Sequence, residues 1–307
     1  MALGNQSTIS AQNEITQQFR LGTAQGQTKV FYPTVCTEIM STRKDETYAF
    51  AGAMPAMRKW LGERVYNKLR AGRFTLSNEP WELSLEVLRD DIDDDNLGMY
   101  TNTAMDMGIR AMQHPDKLLI TAIEAGDSAE CFDGQSFFDS DHVWGDSGAL
   151  SNLMTYAAAT GTTPTAAEFK AAFNASVERM LSYKDDQGEN LNQGIVEQLS
   201  SLVCVVPLAM RMTAHEALDV PYNAAGATNL VLDKPRIVCM PGLSNAAKFF
   251  TFDANGTNLP FVFQKRKPLR APVWIDDPKE KFIQMVTDAR YNLGYFAWWK
   301  AIQTTFT

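Results

Sequence analysis

The sequence predicts an α+β fold on three observations. Residues 81–88 alternate with the period of a half-buried strand, Trp81, Leu83, Leu85 and Val87 against Glu82, Ser84 and Glu86. Leu97, Tyr100, Ala104, Met107 and Ala111 then recur at helical spacing. Farther on, the apolar runs 201–206 and 236–240, closed by Pro207 and by Pro241 with Gly242, read as buried strands on either side of a helical segment.

Taken in order, residues 1–34 read as an extended arm, polar and poor in large apolar side chains until Val30 and Phe31, and halted by Pro33. Alone such an arm has no core of its own, so its order must come from lying on other surfaces. Residues 47–69 bring Tyr48, Phe50, Met54, Met57, Trp60, Leu61, Val65 and Leu69; part of this set fits a helix, and 65–76 fits a strand equally well. Turn residues at 71–72 and 77–80 make 73–76 and 81–88 the two arms of a predicted hairpin. A two-stranded ribbon is marginal alone in water, so an extended one should rest on another subunit.

Asp90, Asp91, Asp93, Asp94 and Asp95 form an acidic hinge, in which Asp95 or Asn96 is expected to cap the following helix and the carboxylates to offset its positive end. The helix should run over 97–125 with a kink or restart at Pro115 and a stop at Gly126. Residues 145–164 read as a loop and domain junction. Thr165 and Glu168 have capping-box spacing, ahead of Phe169, Phe173, Val177 and Leu181 on one helical face. Residues 208–218 return as a helix, 282–287 as a strand, and 291–306 fit helix and strand alike. The expected division is arm 1–34, a body segment 35–61, a hairpin loop 62–95, body with the long helix 96–164, a compact α+β unit 165–265 and a returning body segment 266–307.

Of 307 residues, 45% are hydrophobic and 21% charged, enough for one large core or two moderate ones. No apolar run is long enough to span a bilayer and residues 1–29 are Gln- and Thr-rich without an apolar leader segment, so neither membrane insertion nor secretion is expected, and synthesis is expected in the cytoplasm. A net charge of −8 repels a phosphate backbone at long range. Lys265, Arg266, Lys267 and Arg270 are the exception, read as a solvated face. Cys36, Cys131, Cys204 and Cys239 form no Cys-x-x-Cys pair, which argues against structural zinc.

Three constellations invite chemistry. Asp91, Asp93 and Asp95 match the first ligands of an EF-hand loop, but Asn96 stands where the loop needs Gly and Asn102 where it needs a bidentate Glu. Cys131, Asp133, Asp139, Asp141 and His142 unite a thiol, carboxylates and an imidazole; Phe132, Phe137, Phe138 and Trp144 interleave with them, and a packed loop around a hydrogen-bonded histidine is the expected role. His114 and His215 lack a second ligand at metal spacing. With no P-loop, no Gly-x-Gly-x-x-Gly and no Gly-x-Ser-x-Gly, no enzyme, cofactor or metal is expected.

Four phrases carry a family likeness: Met54-Pro55-Ala56-Met57-Arg58-Lys59-Trp60-Leu61-Gly62-Glu63-Arg64, Arg89-Asp90-Asp91-Ile92-Asp93-Asp94-Asp95-Asn96-Leu97-Gly98-Met99-Tyr100, Asp133-Gly134-Gln135-Ser136-Phe137-Phe138-Asp139-Ser140-Asp141-His142 and Ala289-Arg290-Tyr291-Asn292-Leu293-Gly294-Tyr295. In this order they resemble the major head subunit of Mu-like tailed phages, from about residue 47 to the C-terminus. The resemblance implies the Hong Kong 97-type capsid fold, with an N-terminal arm, an extended β-hairpin loop, a long spine helix, and peripheral and axial domains. It also implies self-assembly into hexamers and pentamers of an icosahedral head around double-stranded DNA, built in the host bacterial cytoplasm. Portal, scaffold or decoration proteins and non-specific DNA contact come with it as implied partners. Arg64, Arg73 and Arg89 against the run Asp90, Asp91, Asp93, Asp94 and Asp95 of a neighbour are the expected assembly contacts. The competing readings are a cysteine-dependent hydrolase centred on Cys131 and His142, and a cellular nanocompartment shell of the same fold.

Overall fold

The computed structural model describes residues 2–51, 71–144, 147–185, 188, 190–192, 201–221, 229, 231 and 234–307. The chain opens with α1 (Ala2–Gln27), then β1 (Cys36–Met40), β2 (Asp45–Ala51), β3 (Ala71–Ser77), β4 (Glu79–Leu88), α2 (Arg89–Asp93) and α3 (Gly98–Ala125). The short strands β5 (His142–Val143), β6 (Ala149–Leu150) and β7 (Leu153–Tyr156) lead to α4 (Ala166–Ser182), β8 (Leu202–Val206), α5 (Arg211–Leu218) and β9 (Arg236–Cys239). The remainder is β10 (Lys248–Asp253), β11 (Phe261–Lys267), β12 (Val273–Ile275), β13 (Phe282–Tyr295) and β14 (Ala301–Phe306).

Two five-stranded sheets organise these elements. In the first, β1 pairs parallel with β11, β11 and β12 lie along one edge of β13, and β4 lies along the other. The second has the order β7-β14-β10-β8-β9, so β8 is an interior strand, flanked on both sides and buried at every residue, as the continuous apolar run demands. Segment 165–265 does not close this sheet: β7 precedes it and β14 enters from the C-terminus. β9 lies on the outer edge and is only half-buried, with β8 on one side and no strand among the described residues on the other. Residues 291–306 resolve as strand, a single 3-10 turn over Trp298–Lys300, and strand again.

The expected extended arm is instead a 26-residue helix. Ala11, Ile15 and Phe19, one stripe at four-residue spacing, are buried in a cluster with Ile92, Tyr100, Ala104, Ile283 and Met285. The surface the arm lies on is therefore supplied by its own chain. Contact with α3 is intimate: a Cβ added at Gly22 would stand 2.0 Å from the Met105 carbonyl oxygen, and one at Gly108 2.3 Å from that of Phe19.

The hairpin is also repartnered. β3 pairs antiparallel with β2, from Asp45↔Ser77 to Ala51↔Ala71, whereas β4 pairs with β13 over ten residues from Glu79↔Tyr291 to Leu88↔Phe282. Asn78 alone separates β3 from β4, too short a link for a hairpin turn, so the chain passes there from one sheet to the next. The hairpin thus starts at residue 45 and its base closes at 77, with residues 52–70, including Arg64 and the 54–64 phrase, outside the described residues.

α3 runs unbroken through Pro115, with no restart there. It buries Tyr100, Ala104, Gly108, Pro115, Leu119 and Ile123, and its 28 residues make a rod of about 42 Å. The Thr165–Glu168 capping box forms in full at the start of α4, and Phe169, Phe173 and Val177 are buried along its face.

Candidate assembly interface

The hairpin is rooted by side chains that the sheet supplies. Tyr48 donates to Gln264 Oε1 at 2.6 Å, Gln264 Nε2 donates to the Leu76 carbonyl at 3.1 Å, and Asn292 Nδ2 to that of Ser77 at 2.9 Å. Burial, then the nearby Glu46 charge, pushes the Tyr48 phenol up to about 12. At the turn before β2, the Glu46 carboxylate accepts from the amides of Thr42 and Arg43, and Asn78 Nδ2 donates to Ser41 Oγ and to the Arg43 carbonyl. Beyond this root Arg73 is exposed.

The acidic hinge is built differently from its expectation. Residues 89–93 form their own helical turn with Ile92 buried beneath it, and the Asn96 amide closes onto the Asp91 carbonyl at 2.8 Å. Asp95 sits at φ +57°, a conformation that Asp and Asn tolerate better than most side chains. Neither Asp95 nor Asn96 caps α3; Leu97 occupies that position and makes no side-chain cap. Asp91 accepts from the Tyr100 hydroxyl at 2.5 Å, and that bond is the main reason the phenol's pKa is raised. Asp90, Asp93, Asp94 and Asp95 stay exposed. Arg89 is engaged within the chain: it pairs with Asp276 and donates to the Glu280 and Asp277 carbonyls at 3.0 and 2.9 Å. The described part of the expected charge set is therefore Arg73 and four free carboxylates, with Arg89 and Asp91 occupied.

Between these two features lies a half-covered sheet. Val87, Ile283 and Met285 pack under α1 and α3, while Leu88, Val273 and Ile275 on the other side are 49%, 39% and 50% exposed. They share this face with exposed Glu82, Ser84 and Glu86, and no described element of the chain covers it.

The arm's end is pinned by Asp116, whose carboxylate accepts from the Phe31 amide at 3.0 Å and the Tyr32 amide at 2.7 Å. Burial outweighs these bonds and raises its pKa above the ordinary 3.8. The folded protein therefore holds this proton more tightly than the unfolded chain. Asp116 contributes most at low pH, and its contribution declines as pH climbs from 3.8 to the raised folded value. In Asp116→Asn that part of the pH–stability profile, measured by urea titration at successive pH values, is expected to flatten.

The segment 131–142 is a packed loop, as expected. His142 is fully buried: Nδ1 lies 2.7 Å from Asp133 Oδ2 and Nε2 3.2 Å from the Phe137 carbonyl, and the ring stacks on Trp298 at 4.2 Å and 3°. Both nitrogens face acceptors other than Cys131. The Cys131 thiol donates to the Phe296 carbonyl at 3.5 Å, and burial, then the Asp133 charge, pushes its pKa well up, opposite to what a nucleophilic thiolate requires. A groove of about 830 Å³ lies elsewhere, between α3 and the first sheet, lined by Trp81, Leu83, His114, Ile120, Ala289 and Tyr291. No group of three His, Cys, Asp or Glu side chains placed to hold a metal occurs among the described residues. No helix among them is long and apolar enough to cross a membrane.

Comparison with known proteins gives a consistent answer. A family model described as Mu-like prophage major head subunit gpT matches residues 10–165. The chain is 36% identical over 114 residues to the Mu-like prophage FluMu major head subunit of Haemophilus influenzae, an alignment covering 37% of each chain. It is 32% identical over 111 residues to the major capsid protein of Escherichia phage Mu, covering 36% of each. The matched region thus spans little more than a third of these curated relatives. Among solved structures it resembles the procapsid of bacteriophage JBD30, with a TM-score of 0.55 and 21% identity over 98% of this chain and 75% of that one. It also resembles the mature capsid of bacteriophage PhiM1, with a TM-score of 0.62 and 13% identity over 91% and 87%. A virus-like particle from Pyrococcus furiosus gives 0.56 at 7% identity over 94% and 98%. At these identities the solved structures show the fold, which is that of tailed-phage capsids, the Hong Kong 97 type.

Proposed function

This chain belongs to the Mu-like prophage major head subunit gpT family, and from that premise we propose that it self-assembles into the hexamers and pentamers of an icosahedral phage head enclosing double-stranded DNA. The observation that carries the proposal is the sheet face around Leu88, Val273 and Ile275 that no described element covers, beside a hairpin whose described base is rooted in the first sheet. A neighbouring copy can cover that face. An obligate contact of roughly 2,000 Å² or more is the scale such surfaces require. In this reading α3 is the spine, the unit around β8, β9 and β10 is axial, and the first sheet is peripheral. Portal, scaffold or decoration proteins, DNA contact and assembly in the bacterial cytoplasm belong to the same proposal.

The hydrolase reading finds less support, because His142 is turned to Asp133 and Phe137 and the thiol is held protonated. A nanocompartment shell would share the fold, yet the family match favours the phage head. Electron microscopy of the expressed full chain tests the proposal: shells, tubes or hexameric rings are expected. A protein that stays monomeric in every assembly condition, with its hairpin ordered, overturns it.

A further inference from the structure

We propose that copies of this chain meet head to tail through charge, the basic surface at the end of β1 and the start of β4 in one copy receiving the acidic α2 turn of a second copy. The inference rests on the shell-building reading and adds which surfaces meet. Strand register aligns Met40, Lys265, Tyr291 and Glu79 in one row, at the end of β1 and the start of β4, partway along β13, with Lys267 opposite Arg290. The turn after β1 reaches the same end, since the Ser41 amide donates to the Lys265 carbonyl at 2.9 Å, and it carries exposed Arg43 and Lys44. Two cations of this end have partners: Lys265 pairs with Glu38 at 3.1 Å and Arg270 with Asp288 at 3.6 Å. Arg43, Lys44, Arg266 and Lys267 make no ion pair among the described residues, and Arg290 buries its Nε without an acceptor. Asp45, Glu46 and Glu79 also lie here, three carboxylates against the five cations Arg43, Lys44, Arg266, Lys267 and Arg290, so positive charge remains in excess.

The opposite end of β4 carries Asp90, Asp93, Asp94 and Asp95, exposed and without an ion pair among the described residues, while Arg89 is turned to Asp276. The two ends are nine residue steps apart along a fully paired strand, roughly 30 Å. That spacing is rigid, so the charges cannot neutralise each other within one molecule. A contact between two different patches of identical copies is heterologous and propagates into rings or lattices, which suits a shell. Double-stranded DNA is the poorer occupant of the basic end, because the chain as a whole carries −8.

The test uses the full chain and sedimentation with negative-stain microscopy. Lys44→Glu/Lys267→Glu and Asp93→Lys/Asp94→Lys should each lower the assembled fraction at least tenfold at low salt, with unchanged circular dichroism. Carrying all four substitutions in one chain should restore assembly, because the two ends regain opposite signs. Lys44→Gln/Lys267→Gln serves where a reversal prevents folding, with a smaller loss expected. Wild-type protein that never assembles defeats the shell reading itself. Assembling wild type with unaffected reversals, or without rescue in the fourfold variant, defeats this inference alone. So does loss of DNA retention in place of assembly on removing the basic charges.

Discussion

Gly108→Ala is expected to detach α1 from α3 and weaken that region by about 3 kcal/mol, the upper part of the range for overpacking a close contact. The added Cβ would stand 2.3 Å from the Phe19 carbonyl oxygen and 2.8 Å from the Thr23 amide, both backbone atoms that no rotamer change can move. Gly22→Ala meets the Met105 carbonyl at 2.0 Å and should behave alike. Because the arm docks mainly on one helix, loss of the contact should open it locally before the rest unfolds. The reading is the rate of tryptic cleavage after exposed Arg20, expected to rise on the order of a hundredfold, the population change that about 3 kcal/mol implies. Gly98→Ala is the control: nothing lies within 4 Å of its added Cβ, and the exchange favours helix by up to about 1 kcal/mol. Equal cleavage in Gly108→Ala and the control would mean that the helices do not touch as described.

What was legible in the sequence follows the distance over which each signal acts. α3, β4, β8 and the capped start of α4 announce themselves through a period, an unbroken apolar run or a cap, all local. The arm helix was missed because its composition is polar, and its signal is thin: Ala11, Ile15 and Phe19, continued by Gly22 and Gly26, repeat at three- or four-residue steps. A reading weighted toward large apolar residues passes over glycines, although here they mark where two backbones meet. The partner of β3 was missed because pairing is a long-range choice: turn residues at 77–80 left room for a hairpin, and only the strand bounds of the fold reduce that link to Asn78. At the interface, the Asp run was found by charge. The engagement of Arg89 by Asp276 was not, since no local pattern links residues 187 apart.

The second large effect is expected at His142. In His142→Ala the stack on Trp298 is lost and the Asp133 carboxylate, 9% exposed, keeps its burial without its partner; breaking such a pair costs about 3–5 kcal/mol. Asp133→Asn should cost less, because its amide oxygen can still accept from the imidazole. Cys131→Ala removes only a small buried side chain with a weak bond to the Phe296 carbonyl, and about 1 kcal/mol is expected, with assembly intact. Urea denaturation of the unassembled subunits gives this order, and a double-mutant cycle between His142 and Asp133 should return a coupling of at least about 1 kcal/mol. The order separates the two roles of the loop. If the histidine anchors residues 131–152 to Trp298, stability follows His142 and is nearly blind to Cys131. If thiol and imidazole were instead a nucleophile and its base, Cys131→Ala would abolish a hydrolytic activity, while His142→Ala would leave the fold nearly as stable as before.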